Sequence, residues 1–464
     1  MNFLSKKTAK SVPITPVDAE GFPAWLKKQD RKTQSWAASV GYTGATGSVL
    51  SILDDKGILK RVIFGCGKDD SVYTYADLPA KLPKHAEGYY IDKKMDKARA
   101  TQAALGWALG SYQFAQYKSG KKKEFAALIW PDKADKEDVK AAANATFLVR
   151  DLVNIPPNDL GPGEIAEAAQ KLVKGVGKAG IKIIVGDELL KKNYPTIYAV
   201  GKGSPRKPRL IDITWGKSKH PRVTLVGKGV AFDTGGLNLK PGNSMALMKK
   251  DMGGAAHVLG LAQMIIAENL PVRLRVLIPA VENSMDGNSF RPSDIIKTRK
   301  GLSVEIGDTD AEGRLVLCDA LAEACSEKPD LLIDFATLTG AARVALGPDL
   351  PAMFSNDKTV ARDLLDSAEK TQDPLWQLPL WQPYKDMLSS KIADINNVGS
   401  GGFAGAITAA LYLERFVDKN IPWVHIDTYA WNPSSKPGKP EGGEALGMRA
   451  VHDLIRSRFG KKKG

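Results

Sequence analysis

Histidine and cysteine are scarce in this chain, five and three among 464 residues. No Cys-x-x-Cys and no His-Glu-x-x-His spacing occurs. Any metal centre must therefore rest on carboxylates and lysines. Cys66, Cys318 and Cys325 form no paired framework and fit a reducing compartment. Cys318 and Cys325, seven residues apart on one helical pattern, read as core residues. No apolar run approaches the ~18 residues of a membrane helix. Residues 1–7 lack the apolar core of a secretory signal, so a cytoplasmic protein with no membrane partner is expected.

What is present is the composition of a soluble globular protein, 43% hydrophobic and 25% charged. The length exceeds one ordinary core, so two domains are expected. The net charge is +14, and most of the surplus lies in residues 1–150. A basic surface can attract nucleic acid. The lysine runs at 121–123 and 461–463 are short, however, and read better as solvated faces.

The pattern predicts strands at 49–53 and 61–65, a helix within 96–117 and a strand at 125–130. Residues 1–47 are rich in breakers and yield little. A helix at 133–153 ends at the breaker cluster Asn154-Ile155-Pro156-Pro157-Asn158. The expected division is an N-terminal α/β domain at 1–132, a connecting helix and linker at 133–158, and a catalytic domain at 159–464. Within the last, strands are expected at 181–185, 197–201, 210–215, 223–227, 272–280, 331–335 and 423–427. Helices are expected at 163–174, 254–268, 314–326 and 405–417. That alternation predicts an α/β fold with a mostly parallel sheet flanked by helices. The segment 432–443 reads as an exposed loop bordering a substrate entrance.

Two stretches carry chemistry. In Gly307-Asp308-Thr309-Asp310-Ala311-Glu312-Gly313-Arg314-Leu315, two carboxylates stand two residues apart, a spacing that in an extended segment points both the same way. The second follows the strand at 223–227, whose carboxyl end is where open α/β sheets place ligands. It supplies Lys228, Asp233, Lys240, Met248 and Asp251.

Together these stretches resemble the leucyl (cytosol) aminopeptidases, two-metal exopeptidases with the signature Asn-Thr-Asp-Ala-Glu-Gly-Arg-Leu. The chain has Asp308 where that signature has Asn, which bears on metal preference more than on reaction type. The resemblance covers roughly residues 149–451. It implies two divalent ions, zinc or manganese, with Asp233 and Glu312 bridging them. Asp251 and Lys228 would complete one site and Asp310 the other, Lys228 as a neutral amine. Lys240 would stay charged and meet the oxyanion. Arg314 would hold a bicarbonate acting as general base. The segment from Phe335 to Ala341 also resembles the family: Leu338 would offer its carbonyl to the substrate amine, while Met248, Thr337 and Gly340 would line the side-chain pocket. Asn396, Asn397 and the glycines after them look like a further family element of no assigned chemistry. The resemblance also implies peptide substrates with a free N-terminus and a homohexamer. Competing readings are a DNA-binding regulator on the same scaffold, motivated by the basic N-terminal third, and a metal-dependent hydrolase of non-peptide substrates.

Overall fold

The computed structural model describes residues 1–68 and 70–460. The lysine run at 461–463 lies outside them. The chain forms two compact units, Met1–Phe147 with Ser434–Glu441, and Leu148–Pro433 with the residues from Gly442 on. No described helix is long and apolar enough to cross a membrane.

The first unit holds a six-stranded sheet. Val12–Val17, in the segment where the sequence pattern says little, lies inside that sheet. It pairs in parallel with Leu59–Gly65 on one side and Tyr89–Ile91 on the other. Pro13 and Pro16 disguise it as a breaker region, yet Val12, Ile14 and Val17 point into the core. The helix Lys97–Gly110 supplies the buried Ala103 and Trp107 to the same core. The strand expected at 125–130 is shorter, Leu128–Ile129.

The second unit holds a nine-stranded sheet. Its centre is parallel: Trp423–Asp427, Leu331–Ala336, Arg222–Gly227 and Arg273–Asn283 run side by side. Antiparallel strands close the edges, among them Arg209–Trp215 and Ala352–Ser355. Near-continuous apolar strands such as Leu331–Ala336 are buried on both faces, as helices on each side require. Glu312–Cys325 packs into one core with Val226, Leu277 and Leu332. Gly253–Ala267 meets the strands from the other side. There a Cβ on Gly227 would lie 2.5 Å from Val258, and one on Gly254 only 2.1 Å from the Phe335 carbonyl. Glycine at both positions lets the helix N-terminus reach the strand ends.

One expectation fails and another holds only in part. Residues 197–201 are not a strand but part of the helix Pro195–Gly201. A short apolar run cannot be told from a buried helix by periodicity, and the proline at the first helical position was the better signal. Segment 432–443 is exposed at 433–437 as expected, but its ends are not, because Trp431–Asn432 pairs with the buried Gly442–Gly443.

The helix Lys136–Asn154 carries Arg150, which is fully buried with Glu444. Its Nη2 donates to Glu444 Oε2 at 2.9 Å and its Nε to Oε1 at 3.3 Å. Removing one partner of such a pair strands a buried charge. Arg150→Met should therefore cost about 3–5 kcal/mol of stability, read as a lower urea midpoint; an unchanged midpoint would contradict it.

Candidate active site

The carboxyl ends of the parallel strands bring the two stretches together. Lys228 follows Arg222–Gly227 directly, and its backbone N–H donates to the Phe335 carbonyl at 3.0 Å. The next strand, Gly229–Asp233, ends on Asp233. Gly235 and Gly236 then adopt φ of +87° and +65°, values that glycine reaches without strain. This left-handed corner folds the chain back, so the Lys240 N–H meets the Thr234 carbonyl at 3.0 Å. Asp251 lies on the 3₁₀ turn Met248–Met252.

Asp310 and Glu312 do not lie on an extended segment, as their spacing suggested. Asp310 sits in a turn and Glu312 is the first residue of the helix Glu312–Cys325. The turn achieves the same result, since one oxygen each of Asp233, Asp310 and Glu312 lie within 4.8 Å of one another. An acidic residue in the first turn also suits the positive end of the helix dipole.

Two lysines thread this acidic cluster. Lys228 Nζ lies 2.8 Å from Asp251 Oδ2 and 2.9 Å from Glu312 Oε1, and donates to the Thr337 carbonyl at 3.1 Å. Lys240 Nζ lies 2.9 Å from Asp233 Oδ2 and also contacts Asp310. The charges meet by distance, but Asp251 Oδ2, Asp310 Oδ1 and Glu312 Oε1 are buried and accept no well-formed hydrogen bond. Buried oxygens in that condition are rare. Each of these oxygens faces a lysine ammonium and keeps acceptor capacity to spare. Hard oxygen donors converging within 4.8 Å suit a divalent cation, so the residues fit a metal centre.

The electrostatics agree. Burial, then the neighbouring Asp233, push the Asp310 carboxyl up to about 7. The same two causes raise Glu312 well above the ordinary range. Burial lowers the Lys228 pKa, but Asp251, Glu312 and Asp233 outweigh it, and the net shift is upward. Without a cation beside it, the protein groups alone keep Lys228 charged. Coordination there requires a cation to displace that proton. Lys240 is likewise raised, its carboxylates outweighing burial. Burial pushes Lys250 down to about 8.

Asn283, which carries no sequence signal, and Asn397, which the sequence marks without a role, support the cluster. Asn283 Nδ2 donates to Asp233 Oδ1 at 2.8 Å and to the Thr309 carbonyl at 3.2 Å. Asn397 clamps the motif loop. Its Oδ1 accepts from the Gly307 and Asp308 N–H groups at 2.8 and 3.2 Å, and its Nδ2 donates to the Asp308 carbonyl at 2.7 Å. Asp308 itself accepts the Asp310 N–H at 2.8 Å. It thus shapes the turn and stands outside the convergent group of oxygens. Arg314 donates to the Asn397 carbonyl at 2.6 Å and, among the described residues, makes no ion pair with Asp310 or Glu312. Burial lowers its pKa.

Above the cluster opens a cavity of about 540 Å³. Met248, Thr337, Leu338 and Gly340 all line it, as do Lys228, Asp233, Lys240, Asp251, Asp310 and Glu312. Arg314 does not.

Comparison with known proteins accords with this geometry. Residues 147–452 match the cytosol aminopeptidase family, catalytic domain, and residues 12–131 match the M17 aminopeptidase N-terminal domain. A "probable cytosol aminopeptidase" of Syntrophotalea carbinolica is 37% identical over 455 residues, 90% of each chain. The crystal structure of a cytosol aminopeptidase from Coxiella burnetii superposes with a TM-score of 0.94 at 47% identity, covering 98% of this chain and 99% of that one. The bottromycin maturation enzyme BotP in complex with Mn superposes at 0.85 with 30% identity, over 97% of this chain and all of that one.

Proposed function

The chain belongs to the cytosol aminopeptidase family and is a metal-dependent aminopeptidase, and we propose that Asp233, Asp251, Asp310, Glu312 and Lys228 hold a pair of divalent ions, zinc or manganese. The observation that carries this is the convergence of carboxylate oxygens of Asp233, Asp310 and Glu312 within 4.8 Å of one another in the lining of a cavity. Such ions supply Lewis acidity, an activated water and an anchor for a free α-amine. Asp233 and Glu312, whose oxygens lie within 4.8 Å of each other and of Asp310, are the bridging candidates that the family resemblance implies.

The chain's own groups supply the rest. Lys240, largely buried and held beside Asp233 and Asp310, presents a fixed positive charge to the oxyanion that forms on the scissile carbonyl. The Leu338 carbonyl, at the strand end, accepts a hydrogen bond from the substrate amine. Met248, Thr337 and Gly340 enclose the N-terminal side chain. Arg314, a buried guanidinium with no carboxylate partner among the described residues, would hold a bicarbonate through its remaining N–H groups, and that anion would supply a general base. The setting is cytoplasmic. Neither the geometry nor the comparisons favour the DNA-binding or non-peptide readings.

Chelation followed by metal return tests the function. Leucine p-nitroanilide hydrolysis should vanish and come back with zinc or manganese, while a phosphoester stays uncut; the opposite substrate preference would overturn the reading. N-acetylation removes the amine that both an ion and Leu338 would hold. With charge-assisted contacts near 1.5–3 kcal/mol each, blocked peptides should be cut about 10²-fold more slowly or worse. Comparable rates on blocked and free peptides would reject the amine anchor. The assembly is a homohexamer, so light scattering should give six times the 50.1 kDa chain mass; a stable monomer would refute it.

A further inference from the structure

The cavity holds two cations that its carboxylates do not use. Lys228 is matched by Asp251 and Glu312, and Lys240 by Asp233 and Asp310. Lys250 and Arg343 line the same cavity. Lys250 is only 6% exposed, and among the described residues no ion pair meets its ammonium. Its Nζ stands 5.1 Å from the centroid of the Tyr429 ring, and Arg343 Cζ stands 4.8 Å from the same centroid. Both cations thus converge on one aromatic wall of the cavity. The remaining acid there, Asp427, is already committed. It accepts the Leu338 and Thr339 N–H groups at 2.9 and 3.2 Å and the Thr339 hydroxyl at 2.6 Å. A buried ammonium is costly unless a charge meets it, and an aromatic face offsets only part of that cost. What this wall lacks is an anion, and the cavity is where one can enter.

We infer that the cavity binds a carboxylate of the substrate between Lys250, Arg343 and the Tyr429 ring, which makes the enzyme selective for substrates that carry a carboxylate close to the scissile bond. The inference rests on the aminopeptidase reading above. Lys250 gives a compact point charge and Arg343 a planar fork that matches a carboxylate. Lys250 directly precedes Asp251, so the bound carboxylate lies near the reacting centre. It can come from the side chain of an N-terminal Asp or Glu, or from the α-carboxylate of a dipeptide.

The test compares kcat/KM within matched pairs. Glutamyl and glutaminyl p-nitroanilides differ only in the side-chain charge, and Leu-Gly and Leu-Gly-amide only in the terminal one. We expect the charged member of one pair to be preferred at least tenfold, and which pair it is identifies the source. Lys250→Met and Arg343→Met should each bring that ratio towards one. Arg343→Glu, at an exposed helix position, should shift preference towards a lysyl anilide. Ratios near one in the wild type, with leucyl anilide cut normally, overturn this inference alone. A preference that survives in both methionine variants overturns it too. No cleavage of any anilide by the metal-loaded protein overturns the aminopeptidase reading and this inference with it.

Discussion

Glu312→Gln should lower kcat/KM by about 10³-fold or more, since a bridging carboxylate underlies several kcal/mol of transition-state stabilisation. It should also lose metal, measured by elemental analysis after gel filtration. The carboxyl is 1% exposed, heads its helix, and lies among Asp233, Asp310 and Lys228. Glutamine keeps the shape but not the charge. A second readout separates a ligand role from a packing role. Asp310 is raised to about 7 and Glu312 well above its ordinary value. For a carboxyl whose folded pKa is raised, the folded state binds more protons than the unfolded one between the two values. Stability then falls as pH rises through that window. Protein stripped by a chelator should therefore lose stability from about pH 4 to about pH 7, and metal affinity should strengthen over the same range as protons leave. Glu312→Gln should flatten the stability loss, because it removes one of the two raised groups. Full metal content and activity in the variant would reject the bridging role.

The fold class was legible because the parallel strands read as apolar runs alternating with helical patterns, and the candidate ligands because they cluster in two short stretches at strand ends. What escaped was set by tertiary context. Pro13 and Pro16 hide the inner strand Val12–Val17, since breakers outweigh alternation in a local window. Asn283 is a single amide with no signal around it, and Asn397 is marked only as part of a family element without a role, yet each orients a part of the acidic cluster. Their partners stand 50 and about 90 residues away, so no local rule reaches them. Nothing in the local sequence marks Lys250, and only the fold shows it buried. The number of carboxylates around Lys228 is likewise out of reach of a local reading, because it depends on which strand ends are neighbours.

Arginine at Lys228 and at Lys240 should have different consequences, because arginine keeps its proton at every accessible pH. Lys228 is 3% exposed and wedged between carboxylates. Its Nζ would lie 2.8 Å from a Cβ placed on Gly313, so the site has no room for a guanidinium. More basically, the side chain can coordinate only after losing its proton, and arginine cannot lose one. Lys228→Arg should therefore empty one of two metal positions and lower activity about as far as Glu312→Gln. Lys240 differs. Its side chain is 13% exposed at the cavity edge, and its proposed work needs only a positive charge. Lys240→Arg keeps that charge and moves it, so both metals should remain. The rate should fall by roughly 10²-fold, the scale for a misplaced oxyanion partner. The loss should appear in kcat rather than KM, because the oxyanion exists only in the transition state. Metal titration alongside kinetics decides the matter: equal loss of metal in both variants, or loss in neither, would show that the two lysines do not divide the work this way.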